Sequence, residues 1–303
     1  MGSQDLWEFF QDSALSNRYS STPNPIGTTT LESTVASSGP NVSLLKHWLD
    51  NCVENHQHCK KSGQTWPTRL LHVGSPDSHT LRLVVGEAEK FELAKDRCYA
   101  ALSYCWGPAT REEKEQACLS DKNYDQRLHG FSLDELPKTF RDAVEVTRSL
   151  GLSLLWIDAL CINQTNLGEP GSDWSKESVR MQDVFSSALL TISATSASGW
   201  QQGFCGSISG ESRPQELSEN VEPGIRQSNP MLDLDHAPAA GEFTPLHGDN
   251  DFKQKVDGGP LNDRAWVLQE RVLSRRVLHF AGEKTYWECG EHVRCDDFRE
   301  LRW

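Results

Sequence analysis

No stretch of this sequence approaches the ~20 consecutive apolar residues that span a bilayer, so no membrane span is expected. The phosphate-loop, GxGxxG and HExxH patterns are missing, which removes the commonest nucleotide-loop and zinc-protease readings. Positive charge is scarce: 30 Lys and Arg stand against 43 Asp and Glu, a formal net charge of −13. So acidic a chain repels phosphate backbones, and no nucleic-acid partner is expected. The first ten residues, Met1 to Phe10, have no basic segment, and their short apolar patch carries acids. They do not read as a secretory signal. The nine cysteines are odd in number and widely scattered. That pattern reads as reduced thiols of a cytoplasmic protein rather than a disulfide framework.

Hydrophobic residues make up 37% of the 303 positions and ten are tryptophan, a composition suited to a soluble globular protein. Residues 1–42 are rich in Ser, Thr, Asn, Pro and Gly and are expected to be disordered. Residues 43–97 read as an extension packed on the core. In it Leu44, Leu45, Trp48, Leu49, Cys52 and Val53 recur at helical spacing behind a cap at Asn41 or Ser43. Strands over 69–73 and 80–85 follow, separated by the turn residues Gly74 to Asp77.

From residue 98 the pattern becomes strand, helix, strand, helix, strand. Cys98 to Gly107 is an apolar run stopped by Pro108, and Pro137 opens a helix that Gly151 ends. Residues 153–158 form a second strand. A helix capped by Asp173 or Ser175 carries Met181, Val184, Phe185 and Ala188, and residues 189–194 form a third strand. This order predicts a mostly parallel central sheet flanked by helices, with its ligand edge at Tyr104–Pro108 and Asp158–Asn166. Residues 206–260 lose apolar periodicity and read as a mobile insertion. A helix through Ala265, Trp266, Gln269, Glu270 and Leu273 then leads to a C-terminal hairpin, 276–281 and 284–289, turning at Gly282-Glu283.

Three segments carry a family resemblance: Tyr99 to Gly107; Leu136 to Gly151 running on into Leu155 to Gln164; and Arg264 to Phe280, ending at Trp287-Glu288-Cys289. In this order they resemble the three signature blocks of the fungal heterokaryon-incompatibility (HET) domain, placing that domain within 98–303. Two departures stand out: Gly168–Ser172 lengthens the loop after Gln164, and Trp303 follows soon after the third block, where relatives often continue. The resemblance implies programmed cell death in non-self recognition or innate immunity, with self-association or another incompatibility or NLR-type protein as partner. HET domains are also distantly similar to TIR domains, which have a flavodoxin-like fold. On that analogy Arg264-Ala-Trp-Val-Leu-Gln-Glu270 resembles the TIR tryptophan block, whose glutamate serves cleavage of NAD+.

Two classes of function therefore stay open: a TIR-like NAD+ nucleosidase, with NAD+ as substrate and no cofactor required, and a non-catalytic self-assembling or adaptor module. Glu270 is the catalytic candidate, because a carboxylate beside ribose stabilises an oxocarbenium-like centre. Its structural alternative is a helix-surface acid paired with Arg264, Arg271 or Arg275. Trp266, one turn earlier, is a candidate for stacking on a base. Ser103, Tyr104, Trp106, Asp158, Asn163 and Gln164 are candidates for the same crevice. Asp158 reads equally well as a cap or an arginine partner, and Cys161 as a small core residue. Cys52, His56, His58 and Cys59, and separately Cys289, His292 and Cys295, fit no standard zinc spacing, so no metal is expected.

Overall fold

The computed structural model describes residues 40–60, 65–94, 98–166, 169–205, 251–297 and 300–301. The expectation of disorder over 1–42 falls almost wholly outside these residues. In chain order the strands are β1 (Leu70–His72), β2 (Thr80–Val84), β3 (Ala100–Ser103), β4 (Phe131–Ser132), β5 (Leu154–Trp156), β6 (Leu190–Ser193), β7 (Arg276–Ala281), β8 (Lys284–Cys289), β9 (Val293–Cys295) and β10 (Glu300–Leu301). They form one sheet in the order β10-β9-β8-β7-β6-β3-β5-β1-β2-β4.

The three expected parallel strands, β5, β3 and β6, lie side by side at its centre, and β7, expected only as part of the C-terminal hairpin, extends them in parallel. The expectation of a mostly parallel sheet is corrected: the other six of the nine pairings are antiparallel. The cause is that neither hairpin stays apart. β1 pairs with β5 through Leu71↔Leu155 and His72↔Leu154, which brings the N-terminal hairpin into the sheet. The C-terminal hairpin joins through β7, and its turn falls at Gly282-Glu283, with Gly282 at φ 76°.

All residues of β3, β5, β6 and β7 are buried. Their apolar runs suit strands covered on both faces. On one face Leu102, Ile192, Leu278 and Phe280 meet Leu45, Trp48 and Leu49 of α1 (Val42–Asn55). Phe140, Ala143 and Val144 of the twelve-residue helix Lys138–Ser149 complete this layer. α1 starts where its sequence predicts, with the Asn41 side chain accepting from the Leu44 amide at 3.1 Å. That twelve-residue helix is preceded by Pro137 in the capping position and followed by Gly151 at φ 79°.

The remaining α-helices among the described residues are α2 (Glu87–Leu93), α3 (Arg111–Ala117), α4 (Tyr124–His129), α6 (Asp158–Cys161), α7 (Asp173–Glu177), α8 (Met181–Ser187) and α9 (Ala265–Leu273), the twelve-residue helix being α5. Ser172, one residue before the first of the expected caps, Asp173, caps α7. Within the stretch read as an insertion, regular structure resumes at Asp251, and Phe252 and Val256 are buried against Tyr286, Val293 and Cys295. The segment 251–260 thus belongs to the packed structure. Residues 206–250 lie outside the described residues.

Candidate active site

In a strand successive side chains alternate between faces. Leu102 points to the apolar layer over α1 and α5, so Ser103 points to the opposite face, beneath α9. Parallel register places Ser103 beside Ser193 of β6, and Ser193 beside His279 of β7. A row of polar side chains therefore crosses three adjacent strands near their carboxyl ends, where sheets of this kind bind ligands.

Glu270 of α9 descends onto this row. Only 7% of the residue is exposed, and the Ser103 hydroxyl donates to its Oε2 at 2.5 Å. Burial lifts its carboxyl from the ordinary 4.5 to about 7. The charge of Asp158 adds to the rise, while the Ser103 hydrogen bond and Arg264 oppose it. The surface-acid alternative does not describe this residue. Arg271 binds Glu288 and Asp257, Arg275 donates to the Ser186 carbonyl, and Arg264 donates to the Tyr104 carbonyl.

Asp158 sits at the first turn of α6, immediately beyond β5. Its carboxylate accepts from the Tyr104 hydroxyl at 2.6 Å, the Trp106 indole at 2.9 Å and the Ala159 amide at 2.7 Å. Tyr104 is fully enclosed, and burial beside Asp158 pushes its phenol well above the ordinary range. Trp106 stacks on Trp200 with ring centroids 5.5 Å apart. Trp156, Asp158, Met181, Phe185, Arg264 and Glu270 are among the residues lining a recess with a cavity volume of only about 10 Å³, room for about one water. This is below the roughly 300–1,000 Å³ of drug-sized ligand sites.

Not every candidate joins this group. Trp266 is 56% exposed and lies outside the residues lining the recess. One turn along α9, Glu270 is buried while Trp266 stands at the exposed edge of the same helix. Asn163 donates to Asp121 at 2.6 Å, and its own oxygen accepts from the Thr165 amide. Gln164 donates to the Ile162 carbonyl at 3.0 Å, so both side chains hold the loop after α6. Cys161 is buried in the core, and burial raises its thiol to about 12.

Sequence reasoning missed a polar network beside the site. His279 contacts Glu288 at 2.8 Å, and Arg271 binds the same carboxylate at 2.7 Å. A carboxylate only accepts, so Nε2 of His279 carries the proton and Nδ1 accepts from Thr195 at 3.3 Å. Burial opposes ionisation of Glu288, yet Arg271 and His279 together hold its carboxyl at about 2. These partners lie on α9, β7 and β8, so no local spacing announces them. A second cluster sits apart from the recess, where the fold brings Cys52, His56, Cys59 and Cys289 together.

The match with the family model described as "Heterokaryon incompatibility protein (HET)" runs over residues 99–270, more than half of the chain. It spans β3 through Glu270 and so includes every residue lining the recess, but not His279 of the polar row. Neither the comparison with curated proteins nor that with solved structures returns a match. No helix among the described residues is long and apolar enough to cross a membrane. On the extent of the family match, this chain belongs to the heterokaryon incompatibility (HET) family.

Proposed function

We propose that the chain is a cytoplasmic signalling protein of fungal non-self recognition, and that its output, cell death, comes from NAD+ cleavage at the Glu270 crevice. The observation that carries this reading is Glu270 itself: a buried carboxyl lifted to about 7, above the carboxyl end of a parallel strand. Strained acids of this kind collect at catalytic sites. The four parallel strands β5, β3, β6 and β7 run in the order second, first, third, fourth along the chain. That is the doubly wound order of flavodoxin-like sheets, and it supports the likeness to TIR domains.

The chemistry is hydrolysis of the bond between nicotinamide and ribose. The C–N bond breaks with its electron pair going to the pyridine nitrogen, and positive charge develops at the ribose carbon. Ionised Glu270 stabilises that charge, water adds to the carbon and loses a proton, and nicotinamide and ADP-ribose result. Ser103 orients the carboxylate, and Asp158 is held by Tyr104 and Trp106 within the same recess. A recess of about 10 Å³ must widen to admit a dinucleotide, so the resting chain turns over slowly.

The outward-facing Trp266 and Leu268 of α9, 56% and 38% exposed, favour a second reading, a module that signals by self-association. One experiment separates the two. Purified protein is incubated with NAD+, nicotinamide release is followed, and particle mass is recorded by light scattering, for wild type and Glu270→Gln. Release by wild type and its loss in the variant supports the hydrolase. Assembly by both forms without release supports the second reading.

A further inference from the structure

We propose that Cys52, His56, Cys59 and Cys289 bind one zinc ion, which fastens α1 to the C-terminal hairpin. Cys52 lies in the last turn of α1, His56 is its C-terminal cap, and Cys59 follows in the next turn. Cys289 ends β8, more than two hundred residues along the chain. All four are buried, and their donor atoms lie within 4.8 Å of one another. Nδ1 of His56 faces Sγ of Cys289 at 3.4 Å. A tetrahedral zinc with Zn–S ≈ 2.3 Å and Zn–N ≈ 2.0 Å needs neighbouring donors about 3.4–3.8 Å apart. The cluster therefore closes on the ion with small side-chain movements.

Charge supplies an independent argument. Arg276 is 4% exposed, and its Nε donates to Sγ of Cys52 at 3.1 Å while Nη2 donates to the Cys59 carbonyl at 2.9 Å. Among the described residues no carboxylate forms a salt bridge with it. A buried guanidinium without a counter-charge is costly. Three thiolates, a neutral imidazole and Zn²⁺ carry a net charge of −1, which Arg276 balances. A donor to a ligand sulfur is also the usual outer partner of a metal centre.

Four protein donors without an open position make a structural site rather than a catalytic one. This explains why spacing within each segment did not reveal it: three donors come from one segment and the fourth from a distant strand. The expectation of no metal weighed the two segments separately. The site does not depend on the reading of Glu270, because the cluster and the recess share no residue.

The test uses the full chain purified under reducing conditions without chelator. Zinc is measured by elemental analysis, and metal release is followed as a mercurial reagent titrates the thiols. The expected result is one zinc per chain, released as the thiols react, and retained in the control Cys205→Ser. In Cys289→Ser, zinc is expected to fall to below roughly a tenth of that level. Folded wild-type protein without stoichiometric zinc overturns the proposal, whatever the variant does. So does retention of zinc by folded Cys289→Ser, or a disulfide among Cys52, Cys59 and Cys289 found by mass spectrometry of the untreated protein.

Discussion

Glu270→Gln is expected to stabilise the protein, by an amount that depends on pH. In the native state burial lifts the carboxyl from 4.5 to about 7. Unfolding returns it to water and to its ordinary value. Between those two values the folded state therefore holds more protons than the unfolded state, and stability falls as pH rises. The group's contribution is intact below about 4.5 and fully lost above about 7. That interval corresponds to about 3 kcal/mol, and with 7% of the residue exposed, solvent screening takes little from it. Glutamine keeps the shape and an oxygen for the Ser103 hydroxyl but never ionises. Near pH 8 the variant should be more stable by ~2–3 kcal/mol, or roughly 5–10 °C in unfolding midpoint. Near pH 5 the two proteins should converge. Urea titrations of both proteins across this range are the assay. A variant less stable than wild type near pH 8, or a difference that does not change with pH, would refute the reasoning. Either would mean that the carboxylate is ionised and satisfied in the folded site. Stability gained together with loss of the proposed activity would mark Glu270 as a strained functional residue.

Other perturbations test other parts of the structure. Arg271→Met leaves Glu288 without its main cation and should cost about 3 kcal/mol or more in urea unfolding. In wild type, Glu288 adds stability that is present above its ordinary 4.5 and is lost as pH falls toward about 2, a limb that acid titration of Arg271→Met should flatten. Phe252→Ala should cost about 3–5 kcal/mol in the same measurement, because the ring packs on His279 and Tyr286 within a segment that reads as polar. Asp158→Asn should cost about 1–3 kcal/mol, since one amide oxygen cannot accept from Tyr104, Trp106 and the Ala159 amide together. Gly107→Ala should destabilise by more than ~2 kcal/mol, whereas Gly151→Ala, also at positive φ but with open space around it, should cost only ~1 kcal/mol.

The parallel strands were legible because each is a short apolar run closed by a breaker, and six-residue strands around Gly282-Glu283 announced the hairpin. Their assembly into one sheet was not. The pairing of β1 with β5 leaves no local signal, since its residues Leu70 and Leu71 would be equally at home in a separate hairpin. β4 and β10 have two residues each and carry no periodicity at all. Phe252 and Val256 stand almost alone among charged neighbours, so composition outweighed their spacing of four. At the site, the resemblance marked Glu270, but the amphipathic rule misjudged its helix. It assigns Trp266 to the interior and the acid to solvent, and the structure reverses both. Such a reversal is tolerated only where the buried acid finds a donor, and Ser103, in the next layer, is that donor. The cysteine cluster was hidden for a different reason, because its fourth donor is supplied by topology.

The contact between Gly107 and Gly199 bears on how the crevice can move. A Cβ on Gly107 would stand 2.6 Å from the Gly199 Cα, so the loops leaving β3 and β6 touch backbone to backbone. The Trp200 amide donates to the Trp106 carbonyl, and the two indoles stack at 25°. These loops form one rigid jaw, with no slack to take up a ligand. The opposing jaw is the nine-residue helix α9, which carries Glu270 and whose entry is held by Arg264 on the Tyr104 carbonyl. If the recess admits a ligand as proposed, α9 would have to move away from this wall, which would withdraw Glu270 from Ser103. The same movement would displace Trp266, so a partner seated on the outer face of this helix would govern access to its inner face.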